Sequence, residues 1–121
     1  MKKYILLFLS AFAIGQAKAQ CWYAIGSGGS HTFFIDSDYA LWGTGDNVSG
    51  QMGDGTEENI NTITQINRSR TWSVVSGGFY HTIAVRSDGS LWGWGSNSGL
   101  KLAPGLASKE LKPVPISSSS N

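Results

Sequence analysis

The sequence predicts an all-β fold made of two propeller-like blades, each of four short antiparallel strands. Three observations carry that prediction. The chain repeats itself with a period of fifty residues, each repeat alternates β-prone runs with glycine-rich turns, and no helical periodicity follows the first nineteen residues. Four short strands per unit, with recurring glycine and aromatic markers, are the sequence signature of a propeller blade.

The period is dense in uncommon residues. Shifted by fifty, Trp22 falls on Trp72, Gly28 on Gly78, His31-Thr32 on His81-Thr82, and Ser37-Asp38 on Ser87-Asp88. Leu41-Trp42-Gly43 and Gly45 fall on Leu91-Trp92-Gly93 and Gly95, and Asn47 on Asn97. With Gly55 on Gly105, Ile66 on Ile116 and Ser69 on Ser119, there are fourteen identities in fifty positions without a gap. Ile25 with Val75, Ile35 with Val85 and Met52 with Leu102 add apolar exchanges.

The elements follow in order, most clearly in the second copy. Residues 72–76 are a β-prone run that stops at Gly77-Gly78. Residues 81–85 form the next run, Ser87-Asp88-Gly89-Ser90 a turn, and 91–95 a third run. An Asp-Gly pair between two such runs predicts a hairpin, because glycine accepts the positive φ of tight hairpin turns. A fourth, weaker strand is expected near 64–66 and 114–116, with Pro113 and Pro115 marking a sheet edge, since proline cannot donate to a central ladder. A long loop, 46–61, joins the third and fourth strands of the first copy. The glycines are expected where inner strands crowd together, and the tryptophans between neighbouring blades. Tyr39 stands where the second copy has Gly89. Either the first hairpin uses another turn type or Tyr39 is strained, at about 1–2 kcal/mol for a non-glycine residue at positive φ.

The repeats divide the chain into 20–71 and 72–116, with a polar tail over 117–121. The first nineteen residues read as a secretory signal peptide. Lys2 and Lys3 precede an apolar stretch over 4–14, and Ala17-Lys18-Ala19 supplies small residues for cleavage. Eleven apolar residues are too few to span a bilayer, which needs about twenty. The layout predicts export to the periplasm or beyond, with cleavage after Ala19. Cys21 is the single cysteine, so no intrachain disulfide can form. Gln20 before it is larger than the residue that normally precedes a lipidated cysteine, and an inert thiol is expected.

Without the leader, six basic residues face eight acidic ones, a net charge of −2. Nucleic-acid binders draw affinity from basic patches that neutralise phosphate, and none exists here. Residues 22–71 sum to −4 and residues 72–121 to +2.

Candidate sites are few. His31 and His81 hold the same repeat position with no acidic or thiol ligand spaced to help them, and each is read as a structural histidine bonded to nearby backbone. Asp36, Asp38, Asp46, Asp54, Glu57 and Glu58 make the first repeat acidic. A calcium loop alternates Asp and Asn ligands around a glycine, and Asp46-Asn47-Val48-Ser49-Gly50 breaks that alternation. Asn47-Val48-Ser49 and Asn67-Arg68-Ser69 match the glycosylation pattern, a short motif that arises easily by chance. No serine lies in a nucleophile elbow, and no glycine-rich run carries a P-loop lysine. The sequence therefore predicts no catalytic, cofactor-binding or metal-binding residue, and no cofactor.

Trp72, Ser76-Gly77-Gly78, His81-Thr82 and the run from Ser87 through Asp88-Gly89-Ser90-Leu91-Trp92-Gly93-Trp94-Gly95 to Asn97 resemble the repeat of the regulator of chromosome condensation family. Gly50-Gln51-Met52-Gly53-Asp54-Gly55 in the first copy is similar to that family's Gly-Gln-Leu-Gly-x-Gly element. In the second copy Leu100-Lys101-Leu102-Ala103-Pro104-Gly105 replaces it. The resemblance covers residues 22 to about 116 and implies blades of a seven-bladed propeller.

Two blades leave Trp-rich sheet faces uncovered, and stacked repeats need about three units to bury a shared core. Either the chain is a truncated fragment of a longer propeller with no independent function, or several copies assemble into a ring, or a partner protein stabilises a two-blade module. The expected function is a non-catalytic, exported protein-binding scaffold presenting its blade loops, with loop 46–61 as the natural contact surface. The resemblance also implies nucleotide exchange on a GTPase, the activity of the family's eukaryotic founder, but such partners are cytosolic and the leader argues against it. A glycan-acting enzyme would need two carboxyls about 5 Å apart, and only a closed ring could bring Asp46 and Asp54 together in that way.

Overall fold

The computed structural model describes residues 20–116. The expected leader (1–19) and tail (117–121) lie outside the described residues. Eight strands form two separate four-stranded antiparallel sheets. In the first, β1 (Trp22–Ser27), β2 (His31–Asp36), β3 (Leu41–Gly45) and β4 (Ile60–Ile66) lie side by side in chain order. In the second, β5 (Trp72–Gly77), β6 (His81–Arg86), β7 (Leu91–Ser96) and β8 (Lys109–Pro115) do the same. A single 3₁₀ turn, Ser98–Leu100, precedes β8.

The fifty-residue period holds in the hydrogen-bond register. His31 pairs with Gly45 and His81 with Gly95, while Ile35 pairs with Leu41 and Val85 with Leu91. Register shifts recur at Trp22/Ala24 and Trp72/Val74, and again at Gly43/Gly45 and Gly93/Gly95. Each bulge adds local twist to its strand.

One expectation needs correction and one open alternative is resolved. The fourth strands begin earlier than 64 and 114, at Ile60 and Lys109, so the loop of the first blade ends at Asn59. Thr and Asn at 61–64 hid the strand because edge residues need no apolar alternation. The first hairpin has the turn type of the second: Tyr39 sits at φ 62 where Gly89 sits at φ 87. Both turns close with the same pair of backbone bonds, Asp36 N–H to Ala40 O with Tyr39 N–H to Asp36 O, and Arg86 N–H to Ser90 O with Gly89 N–H to Arg86 O. The strained alternative therefore holds for Tyr39. The Asp36 carboxylate braces this turn by accepting from the Asp38 and Ala40 amides at 2.9 and 3.0 Å and from the Trp42 indole at 2.8 Å.

The two sheets meet where β5 packs against β1 and β2. One buried cluster runs through the joint, taking Phe33, Ile35, Leu41, Met52 and Ile66 from the first blade and Trp72, Val75, Ala84 and Trp94 from the second. The sheets do not close into a ring. No helix among the described residues is long and apolar enough to cross a membrane, which says nothing of a β-barrel.

Candidate functional site

The most highly organised part of the molecule is this joint, and the loop of the first blade builds half of it. Asn47 opens the loop, fully buried. Its Oδ1 accepts from the Met52 amide at 2.9 Å, and its Nδ2 donates to the carbonyls of Thr56 and Glu58 at 3.0 and 2.9 Å. The loop is thereby folded back on one side chain. That burial also excludes Asn47 as a glycan acceptor.

The folded loop presents the Gln51 carbonyl to the second blade. It accepts from Thr82 Oγ1 at 2.7 Å and from Trp94 Nε1 at 2.8 Å. Gly53 lies under the Trp94 ring, where an added Cβ would come within 2.7 Å of the indole nitrogen. Gly55 N–H donates to Leu111 O, and Glu57 pairs with Lys109. Loop 46–61 was expected to be a contact surface. Its first half is instead spent between the blades, with Gln51 and Met52 fully buried, while Val48, Asp54, 56–59 and Asn61 are exposed.

At the inner strands the backbones touch. Gly29 N–H donates to Gly78 O at 3.0 Å, and a Cβ on Gly26 would lie 2.2 Å from Val75 O. Trp72 N–H donates to Tyr39 O at 2.8 Å, linking the first hairpin to the start of the second blade. Trp72 and Trp94 do fill the space between blades. Trp92 packs edge-on against Trp72 at the margin of the buried cluster, with the Arg70 guanidinium 4.0 Å from its ring centre, whereas Trp42 is tied to Asp36 and Trp22 is partly exposed.

His31 is buried in the joint, as a structural residue should be, but its partner is not backbone. Its Nε2 lies 3.3 Å from Thr82 Oγ1 in the next blade, and its Nδ1 has no hydrogen-bond partner. Burial lowers the His31 pKa below 6.5, nearby Asp46 opposes that shift, and the charge of His81 adds to it. Burial lowers His81 as well, followed by Lys101. Asp36 is raised by burial, but the bonds from Ala40, Trp42 and Asp38 outweigh that and hold it below its usual value.

The acidic residues do not converge. Among the described residues, no group of three His, Cys, Asp or Glu side chains is placed to hold a metal ion. Asp54 is occupied by its own turn, accepting from the Thr56 amide and hydroxyl, both at 2.9 Å. Cys21 is exposed and free. Surface hollows are found among the described residues. One is apolar, lined by Leu91, Leu100, Leu102, Ala103, Pro115 and Ile116. A second is polar and includes Asp54, Asn67, Arg70 and Lys112. Another lies beside Tyr23 and Tyr39.

Two successive four-stranded meanders, packed face to face through a tryptophan joint, define a piece of a β-propeller. More specifically, residues 72–99 match the family model of the Regulator of chromosome condensation (RCC1) repeat. The solved structures agree. Human WBSCR16 is 22% identical with a TM-score of 0.76, the match covering 87% of this chain and 27% of that one. Yeast RCC1 (Prp20), solved bound to Kap60, is 19% identical with a TM-score of 0.73, covering 84% of this chain and 26% of that one. Prp20p from Saccharomyces cerevisiae, described with its binding properties to Gsp1p and histones, is 18% identical with a TM-score of 0.75, covering 84% and 27%. Identity this low shows the fold: the chain is built of RCC1-like propeller blades, in an open arrangement. It spans about a quarter of the length of these proteins. No curated protein sequence matches it.

Proposed function

We propose that the chain is an exported, non-catalytic protein-binding scaffold. The observation that carries this reading is the pre-ordered outer half of the first-blade loop. Asp54 and Glu58 are exposed on a segment that Asn47 pins at Thr56 and Glu58, while Glu57 is held by Lys109. A loop already ordered before contact loses little conformational entropy on binding. Its carboxylates suit a basic surface on another protein. The structure of yeast RCC1 (Prp20) bound to Kap60 supports the idea in kind, since a protein of this architecture binds another protein there.

Two measurements test the reading. Expression with an intact N-terminus, fractionation and intact-mass analysis should find the chain outside the cytoplasm and beginning at Gln20. A cytoplasmic, full-length product would remove the exported half of the proposal. Affinity capture from the exported fraction, with the wild-type chain beside an Asp54→Lys/Glu58→Lys variant, should retain a protein that the variant loses. Equal capture by both would remove the loop from the binding role.

A further inference from the structure

We infer that the chain associates head to tail with further copies of itself, the leading face of its first blade docking on the trailing face of its second. The fifty-residue period makes this checkable position by position, because the joint inside the chain shows what each face does when covered.

The leading face of the first blade is the uncovered equivalent of the face that the second blade turns into the joint. Trp22 is 37% exposed where Trp72 is 0%, and Ile25 is 66% exposed where Val75 is 5%. Thr32 repeats Thr82, the hydroxyl that donates to the loop carbonyl of the blade before it. On the trailing face of the second blade, the apolar hollow is lined by Leu91, Leu102 and Ile116. These lie fifty residues beyond Leu41, Met52 and Ile66, which share one buried cluster with Trp72 and Trp94 in the joint. An exposed tryptophan and a hollow equivalent to the place that takes a tryptophan are thus carried at opposite ends of one chain. His81 repeats His31 and would meet Thr32 as His31 meets Thr82.

The second copy lacks four glycines of the first, and three of these changes are matched by smaller residues on the facing surface, Gly29 against Phe79 becoming Phe79 against Gly29. Gly50 lies against Leu111 in the joint, and its counterpart Leu100 would face Asn61. Gly53 lies against Trp94, and its counterpart Ala103 would face Thr44. Gly26 against the Val75 carbonyl is the exception, since Ser76 would meet the Ile25 carbonyl with no compensation. The Glu57–Lys109 pair has no counterpart, because Ala107 and Asn59 hold those positions. The contact between copies is therefore weaker than the joint within a chain. The net charges of −4 over 22–71 and +2 over 72–121 attract across it. Two unlike faces make a heterologous contact, which either closes into a ring or propagates. A ring of four to eight blades would hold roughly two to four chains.

Sedimentation velocity and light scattering on the purified exported chain test this. The expected result is a mass rising with concentration to an integral multiple of one chain. A single-chain mass up to millimolar protein would overturn the proposal. Ile25→Glu and Leu100→Glu change exposed residues on the two opposite faces, and each should abolish association while circular dichroism and unfolding midpoint stay unchanged. Mixed one to one, the two variants should form a dimer and nothing larger, since only one competent pair of faces remains. Association that survives either variant, or a mixture that stays monomeric, would also overturn it.

Discussion

The indole nitrogen of Trp94 donates to the main-chain oxygen of Gln51 at 2.8 Å, tying the third strand of the second blade to the loop of the first. The Thr82 hydroxyl bonds the same oxygen. Trp94→Phe keeps most of the ring and removes one of two donors, so it should destabilise the fold by about 1 kcal/mol. Trp94→Ala also opens a cavity and should cost about 3–5 kcal/mol. Urea unfolding of both variants checks the order, and equal losses would mean that the ring does not pack as described.

Gly26 and Gly89 should respond unequally to the same substitution. At Gly89, φ is 87 and an added Cβ meets nothing within 4 Å, so Gly89→Ala carries a conformational penalty alone, about 1–2 kcal/mol. At Gly26 the methyl would lie 2.2 Å from the Val75 carbonyl. Gly26→Ala must push the blades apart and should lower the unfolding midpoint further than Gly89→Ala.

Asn47 and Asn97 begin the two equivalent loops, but they are not equally important. Asn47 Nδ2 serves Thr56 O and Glu58 O, whereas Asn97 Nδ2 serves Ala103 O. Removing a partner from a buried carbonyl costs about 1–3 kcal/mol. Asn47→Ala should therefore destabilise more than Asn97→Ala, and hydrogen exchange at the Met52 amide should rise in the first variant.

Acid should loosen the joint in a window set by the histidines. His31 and His81 have folded pKa values lowered below 6.5, first by burial, so the unfolded chain binds protons that the folded one refuses. Their contribution is fully present above about pH 6.5 and is lost as the pH falls through that value towards the folded pKa. The melting temperature should drop between neutral pH and the acid side of 6.5, and His31→Gln/His81→Gln should flatten that slope. Asp36 and Asp88, whose folded pKa values lie below 3.8, contribute stability that disappears only at lower pH, in a separate step.

The strands and hairpins were legible because their signals are local. A β-prone run, a double glycine and an Asp-Gly turn each act within a few residues, and the register at His31/Gly45 and His81/Gly95 follows the period. Tyr39 was legible as an anomaly, though not as a resolved one. The turn type depended on whether Asp36 braced the loop, which no spacing rule states. The roles of His31 and Gln51 were not legible. Their partners Thr82 and Trp94 lie 51 and 43 residues away. In Gln51 the working group is a backbone oxygen, common to every residue.

By itself, the sequence determined that there are two equivalent β units, their strand order and the places where each turn needs a glycine. Only the tertiary structure decided what those equivalent residues do. Trp22 and Trp72 hold the same repeat position, yet one is partly exposed and the other buried, because the second alone has a blade packed in front of it. Gly50-Gln51-Met52-Gly53 read as part of a surface loop and proved to be the wedge of the joint. Burial is a property of neighbours brought together across the chain, and a local pattern cannot report which of its faces another blade will cover.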